Sequence, residues 1–275
     1  MLLFLLRRAA TFAATLLVAS LVVFAVLELL PGSPAQVTLG DTATPESIAA
    51  LEARLGLDQP AGSRYLSWVG GLLRGDSAVS YAYDTPTFEL IAERLQVSLP
   101  LALLAMGLTV VVAFVLGVYA ASRHNRVGDV GVMALSQLGV AVPSFWLAIL
   151  LILLFAVQLQ WVSAGGFPGW SGDDGGGVWA GLKALLLPAL SLAAVQAAIL
   201  TRVTRSSVLE VMREDYVRTA RATGIPESAL ILKYTLKNAS LNTLTQVGLF
   251  FGYTLTGSVL ATPFPGTMSV WEMIG

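Results

Sequence analysis

Residues 98–122 read SLPLALLAMGLTVVVAFVLGVYAAS, with no charged side chain in the run. A helix crossing about 30 Å of hydrocarbon needs roughly 20 consecutive apolar residues, so this stretch is read as a membrane span. The whole chain agrees with it. Of 275 residues 56% are hydrophobic and 12% charged, and mean hydropathy is +0.76. A soluble domain carries about 25% charged residues; half that excludes disorder and argues against a soluble globular enzyme. A net charge of −1 offers no basic surface for nucleic acid. The absence of cysteine excludes disulfides, thiolate metal sites and a cysteine nucleophile, and the lone histidine, His124, excludes a histidine-rich metal cluster.

Outward from that stretch, four more runs meet the same test. Ala9–Leu30 is stopped by Pro31-Gly32-Ser33-Pro34. A secretory signal peptide has an apolar core of about 7–15 residues; this run is longer and reads as an uncleaved span. The others are Val132–Leu159, Ala184–Thr201 with Pro188 inside, and Ala239–Ala261. Gly266–Gly275, after Pro265, is too short to cross.

The basic residues then assign the sides. Arg7 and Arg8, Arg123 and Arg126, and the set Arg202, Arg205, Arg213, Arg218, Arg221, Lys233 and Lys237 occupy three segments that alternation puts on one face. That face is predicted to be the cytoplasm, with the N-terminus on it. The opposite face receives residues 31–97, rich in acids (Asp41, Glu46, Glu52, Asp58, Asp76, Asp84, Glu89, Glu93), and the loop 160–183 with Asp173 and Asp174. In the first of these, Thr44-Pro45-Glu46 reads as a capped helix start. A second helix near 63–73 presents Tyr65, Trp68, Val69 and Leu72; Trp and Tyr favour the headgroup level, which places this piece against the membrane surface, and a packed extracytoplasmic cap is preferred for it over a ligand pocket. Gly165–Gly177 reads as a flexible loop, and Asp173-Asp174 as a solvated turn rather than a calcium site.

Between the last two spans, residues 202–238 are too long for a simple turn. Val203, Val208, Leu209, Met212 and Tyr216 recur at helical spacing among charges. The spacing predicts a helix through Ala222, a break at Gly224, and a new helix from Pro226 with Glu227 in its first turn. Such an elbow could lie on anionic lipid, connect passively, or plug into another protein. Thr219, Ala220 and Ala222 favour the plug, because small residues admit close approach of a partner backbone, whereas a lipid-facing elbow would carry large apolar side chains.

At Tyr216-Val217-Arg218-Thr219-Ala220-Arg221-Ala222-Thr223-Gly224 the sequence resembles the cytoplasmic signature loop of ABC importer membrane subunits, closest to the peptide/nickel branch of dipeptide and oligopeptide permeases. Leu29-Leu30-Pro31-Gly32-Ser33-Pro34-Ala35, Leu55-Gly56-Leu57-Asp58-Gln59-Pro60, Leu73-Arg74-Gly75-Asp76 and Val142-Pro143-Ser144-Phe145-Trp146-Leu147 resemble other signatures of that branch, in order, from Leu5 to about Val259. The resemblance implies an all-α polytopic protein with the transmembrane fold of a type I ABC importer. Residues 1–97 would hold the N-terminal span and an extracytoplasmic segment, and residues 98–275 the transmembrane core. The elbow would couple to a cytoplasmic ATPase through Arg218, Thr219, Ala220, Arg221, Gly224 and Glu227. The implied partners are a second homologous permease, two ABC ATPase subunits and an extracytoplasmic solute-binding protein, in the bacterial inner membrane among its lipids. ATP and magnesium would bind those ATPases, leaving no cofactor in this chain.

The sequence also departs from the family. Where the pattern has Glu-Ala-Ala before the glycine, this chain has Arg218-Thr219-Ala220. A downstream proline is replaced at the candidate places by Lys237 or Asn242, which predicts a straighter entry into the fifth span. The family's sixth span has no counterpart before Gly275, so either the chain is truncated or a partner supplies that packing surface.

No Gly-x-x-x-x-Gly-Lys-Ser/Thr phosphate loop occurs, so any ATP is hydrolysed elsewhere, and no Gly-x-Ser-x-Gly or serine–histidine pair suggests hydrolytic chemistry. His124 reads as a surface charge near the headgroups, and Glu28 as reaching the interface. Polar residues are costly in hydrocarbon, which makes Gln137, Ser144, Gln196, Asn242 and Gln246 candidates to line a pathway; interhelical hydrogen bonding is the competing and preferred reading. No ionisable residue sits mid-span, against a carboxylate proton relay. The reading is a permease subunit translocating di- or oligopeptides without covalent chemistry. An ATP-independent carrier or channel and a structural assembly subunit are the alternatives.

Overall fold

The computed structural model describes residues 1–261 apart from 31, 41–42, 81–84, 164 and 173–175, with side chains at all of these except 37 and 256–261. Pro31, Asp41, Asp84, Asp173, Asp174 and the stretch Gly266–Gly275 therefore lie outside the described residues. The chain divides into two compact units, Met1–Glu93 and Arg94–Gly275.

In the first unit, α1 (Leu2–Leu29) is a single 28-residue helix with no buried residue, as a span whose solvent is lipid should be. Ser33 caps α2 (Pro34–Leu39) through a reciprocal box with Gln36. The Ser-x-x-Gln spacing signals this start, which a reading of Pro31–Pro34 as a stop alone misses. Thr44 caps α3 (Pro45–Leu55) in the same way with Ser47, and Gly56, at φ +67°, closes it. α4 (Ala61–Arg74) ends at Gly75 in the same left-handed conformation.

The second unit is built on α5 (Thr87–Ser122) and α8 (Val178–Val211). Ala105, Thr109, Ala113, Gly117 and Ala121 are buried at four-residue spacing along α5. Leu185, Ala189, Ala193, Ala197 and Thr201 are buried at the same spacing along α8. Leu101 and Ala105 pack with Leu185 and Ala189 near one end. At the other, Ala121 and Val208 pack with Ala239 of α11 (Leu236–Ala261). Without a hydrophobic driving force in lipid, helices associate by close backbone approach, which small residues permit. Gly117 is where it is closest: a Cβ there would lie 2.7 Å from Thr204 Cβ and 3.0 Å from the Thr201 carbonyl oxygen.

The predicted third span is not one straight helix. α6 (Val127–Ala141) and α7 (Ser144–Ile152, continued by a π-helical turn, Leu153–Gln158) are bent by 95° about their break. Val142 and Pro143 are both extended, with ψ of 121° and 135°. Pro143 lacks an N–H and pushes Val142 out of helical geometry. Among the described residues α1, α5 and α8 are long and apolar enough to cross a membrane, and the α6–α7 pair adds a fourth crossing if it is one broken span. The fifth predicted span falls on α11, 26 residues long.

The segment read as a flexible outer loop is anchored where it is described. Phe167 and Trp170 meet edge to face at 5.0 Å and pack on the Leu101–Leu185 cluster. The Trp170 indole N–H donates to the Gln96 carbonyl at 2.8 Å.

Candidate functional site

α8 runs ten residues past the predicted end of its span at Thr201, to Val211. The amphipathic stretch expected to be one helix through Ala222 is broken at 212–214. A separate helix, α9 (Asp215–Ala222), follows, with Asp215 in its first turn, where a negative charge suits the helix dipole. No Gly or Pro marks the break, and the apolar period carries straight across it, which is why sequence alone extends the helix. At the expected turn Gly224 adopts φ +83°, a conformation that costs any residue with a Cβ. Pro226 is the cap residue preceding α10 (Glu227–Ala229) rather than its first helical residue. A π-helical turn, Leu230–Thr235, then leads into α11, so the entry has no proline break but a locally widened turn.

The elbow has its own small core. Val217, Ala220 and Leu230 are buried together, with Ile225, Val211 and Tyr234 packed around them. The Asn238 side-chain amide donates to the Tyr216 hydroxyl at 2.6 Å, tying α9 to α11. The Arg221 guanidinium bridges the glycine turn to both Glu227 carboxylate oxygens, at 3.0 and 3.3 Å. Arg218 stands 3.6 Å from Asp215, and the Thr219 hydroxyl donates to the Asp215 carbonyl at 2.9 Å.

Five of the six coupling candidates, Arg218, Thr219, Arg221, Gly224 and Glu227, thus lie exposed on one short elbow. Ala220 differs: at 8% exposure it faces the elbow's interior, because α9 must bury one stripe against Leu230. Ala222, the next small residue, is exposed. Beside the elbow, a cleft of ≈ 480 Å³ opens between the last turns of α8 and the start of α9, lined by Arg205, Leu209, Glu210, Arg213, Glu214 and Asp215 among others.

A second cluster escaped the sequence reading. Arg205 of α8 donates from Nε to Asp129 Oδ1 at 2.5 Å and from Nη2 to Oδ2 at 2.7 Å. Asn125, at φ +60°, donates its backbone N–H to Oδ2 at 2.9 Å. His124 Nδ1 lies 3.2 Å from Arg205 Nη2 and 3.4 Å from Asp129 Oδ2, so it joins this cluster while staying exposed at the surface. The Asp129 side chain is 4% exposed and that of Arg205 21%. The paired fork fits a carboxylate plane, and it fastens the α5–α6 turn to the helix that carries the elbow.

The pathway candidates scatter. Gln196 donates from Nε2 to Thr254 Oγ1 at 2.6 Å, joining α8 to α11. Gln137 accepts from Arg202 Nη1 at 3.4 Å. Ser144 sits half-buried at the start of α7, while on α11 Asn242 is exposed and Gln246 half-buried. These contacts do not bring the five together around one cavity.

Comparison with known proteins follows the same lines. Residues 113–264 match the family described as "Binding-protein-dependent transport system inner membrane component", and residues 1–102 match its N-terminal counterpart. A Brucella suis protein, provisionally named a peptide transport system permease, is 40% identical over 93% of this chain and 80% of its own length. A dipeptide transport system permease from Alkalihalophilus pseudofirmus is 34% identical over 100% and 86%. A glutathione transport system permease from Salmonella choleraesuis is 36% identical over 94% and 81%. Permeases of this kind work with a partner ATPase and a binding protein. The chain belongs to the binding-protein-dependent transport system inner membrane components: it is a multi-pass permease subunit of an ABC importer, of the peptide/nickel branch.

Proposed function

We propose that this permease translocates peptides, that its N-terminus and elbow face the cytoplasm, and that Arg218, Thr219, Arg221, Gly224 and Glu227 form its contact with an ATPase. The observation that carries the reading is the elbow: a short helix at the end of α8, held in shape by Val217, Ala220 and Leu230 while its charged residues and the small Thr219 and Ala222 stay exposed. A helix that served only to connect spans would not need a folded core of its own. The relatives named for peptide, dipeptide and glutathione transport supply the substrate class, since all three cargoes carry peptide bonds. The remaining partners would be a second homologous permease, a pair of ABC ATPase subunits and an extracytoplasmic solute-binding protein. ATP and magnesium would bind the ATPases, and movement of the ATPases would reach the spans through α8 and α11.

The test is co-purification of the ATPase with wild-type chain and with Gly224→Asp, alongside ATP-dependent uptake of a radiolabelled dipeptide by proteoliposomes holding the assembled importer. The variant should insert normally, lose the ATPase and lose uptake. ATPase recovery unchanged by the substitution would refute the coupling role. Uptake by the chain alone, without ATP, would refute the importer mechanism.

A further inference from the structure

In the first unit, α4 crosses α1 at Phe24. The Tyr65 ring lies 5.3 Å from the Phe24 ring, and its hydroxyl is 2.8 Å from Ser20 Oγ. The Arg64 guanidinium stands 6.0 Å over the same ring and pairs with Glu28. Phe24 belongs to a span whose apolar run ends at Leu30. At a rise of about 1.5 Å per residue, the crossing lies roughly 9 Å inside that end. A helix held there is below the level of the surface water.

Its faces suit that depth. Tyr65, Trp68 and Leu72 share the side that meets α1. Leu66, Val69 and Leu73 extend the same apolar arc beyond α1, with Leu66 70% and Leu73 84% exposed. Ser63, Ser67 and Arg74 occupy the opposite arc. An in-plane interfacial helix buries its apolar face about 5–10 Å below the headgroups and turns a polar face to water, with aromatic rings at the boundary. α1 itself is apolar along its length and has no buried residue.

We infer that α4 is an interfacial membrane helix, seated among the acyl chains of the leaflet at the Leu30 end of α1, and not an extramembranous cap. The Arg64–Glu28 pair and the Tyr65–Ser20 contact set its depth. The leaflet is the occupant of the free stripe, and through α4 the segment after the first span is held flat against the bilayer.

The chain has no cysteine, so single-cysteine variants accept a nitroxide label at one place. Leu66→Cys, Leu73→Cys and Ser67→Cys are labelled in the importer assembled with cysteine-free partner subunits in nanodiscs, and collisions with oxygen are compared with those of a water-soluble nickel chelate. The labels at 66 and 73 should favour oxygen, and the label at 67, on the same helix, should favour the chelate. Equal access of the chelate at all three positions would overturn the proposal. So would labels at 66 and 73 that are shielded from both reagents until the binding protein is removed, because that result would make the stripe a protein-docking face.

Discussion

Arg205 and Asp129, far apart in the chain, meet through two hydrogen bonds of 2.5 and 2.7 Å that join the elbow end of α8 to the first turn of α6. The carboxylate is 4% exposed and also accepts the Asn125 N–H. Removing one member of a buried pair strands the other charge, at a cost of about 3–5 kcal/mol. Arg205→Met should therefore lower the melting temperature of the purified chain sharply. The double variant Arg205→Met with Asp129→Leu should recover most of that loss, because two apolar groups leave no stranded charge. Thermal unfolding followed by intrinsic fluorescence reads both. Equal melting of the single variant and the wild type would show the pair to be incidental.

Gly224 separates backbone strain from docking. At φ +83°, a Cβ would meet nothing within 4 Å, so the penalty for Gly224→Ala is conformational, about 1–2 kcal/mol. Gly224→Asn should cost less, because asparagine tolerates the left-handed region. If the turn only shapes the elbow, stability and ATPase retention should fall together from Gly to Asn to Ala. Parallel melting and co-purification measurements test that ordering; a reversed order in melting would refute the strain account.

These two sites were unequally legible. Gly224 announces itself because a glycine after an amphipathic run has a local meaning, and Pro226 and Glu227 reinforce it. The spans are legible for the same reason: hydropathy is a property of neighbours. Arg205 stands among the basic residues of its segment and Asp129 beside a short turn, and nothing in either neighbourhood names the other. The 95° bend at Val142-Pro143 had a local signal in the proline, but the apolar run continues through it and masks the turn. The break at 212–214 had none, since Met212 and Tyr216 keep the helical period. The inward turn of Ala220 depends on Leu230, which comes to it from across the glycine turn. The coupling candidates lie close together in sequence, so the resemblance could point to them as a group, and their role in coupling stands as proposed above. The pathway candidates could not be ranked, because what distinguishes a lining residue from a packed one is the helix opposite.

The α5–α8 crossing makes a steric prediction. In Gly117→Ala the new methyl would lie 2.7 Å from Thr204 Cβ and 2.9 Å from its Cγ2, closer than packed carbons allow. Overpacking of this kind costs about 1–3 kcal/mol. The paired variant Gly117→Ala with Thr204→Gly removes the two nearest carbons, leaving the Thr201 carbonyl oxygen at 3.0 Å, and should melt closer to wild type than Gly117→Ala alone. Gly131→Ala, inside α6 where a Cβ meets nothing within 4 Å, should raise the melting temperature slightly, because alanine favours the helix over glycine by about 0.5–1 kcal/mol. A Gly117 variant no worse than the Gly131 variant would mean the two helices can part freely.

Gln196 decides between packing and pathway. Its Nε2 donates to Thr254 Oγ1 at 2.6 Å, and the Thr254 hydroxyl donates onward to the Phe250 carbonyl at 2.8 Å, so α8 and α11 are linked by a short polar chain, while the Gln196 Oε1 is buried without a hydrogen-bond partner. Interhelical hydrogen bonds in membranes contribute about 0.6 kcal/mol on average in double-mutant cycles. Gln196→Leu and Thr254→Val should each cost a little, and the cycle should show coupling of that order. The side chain is half-buried and is engaged by a neighbouring helix, so dipeptide uptake by the assembled importer should change no more than stability does. A variant with wild-type melting but a large loss of uptake would place Gln196 against the substrate, and the hydrogen bond to Thr254 would then be the resting position of a side chain that releases its partner during transport.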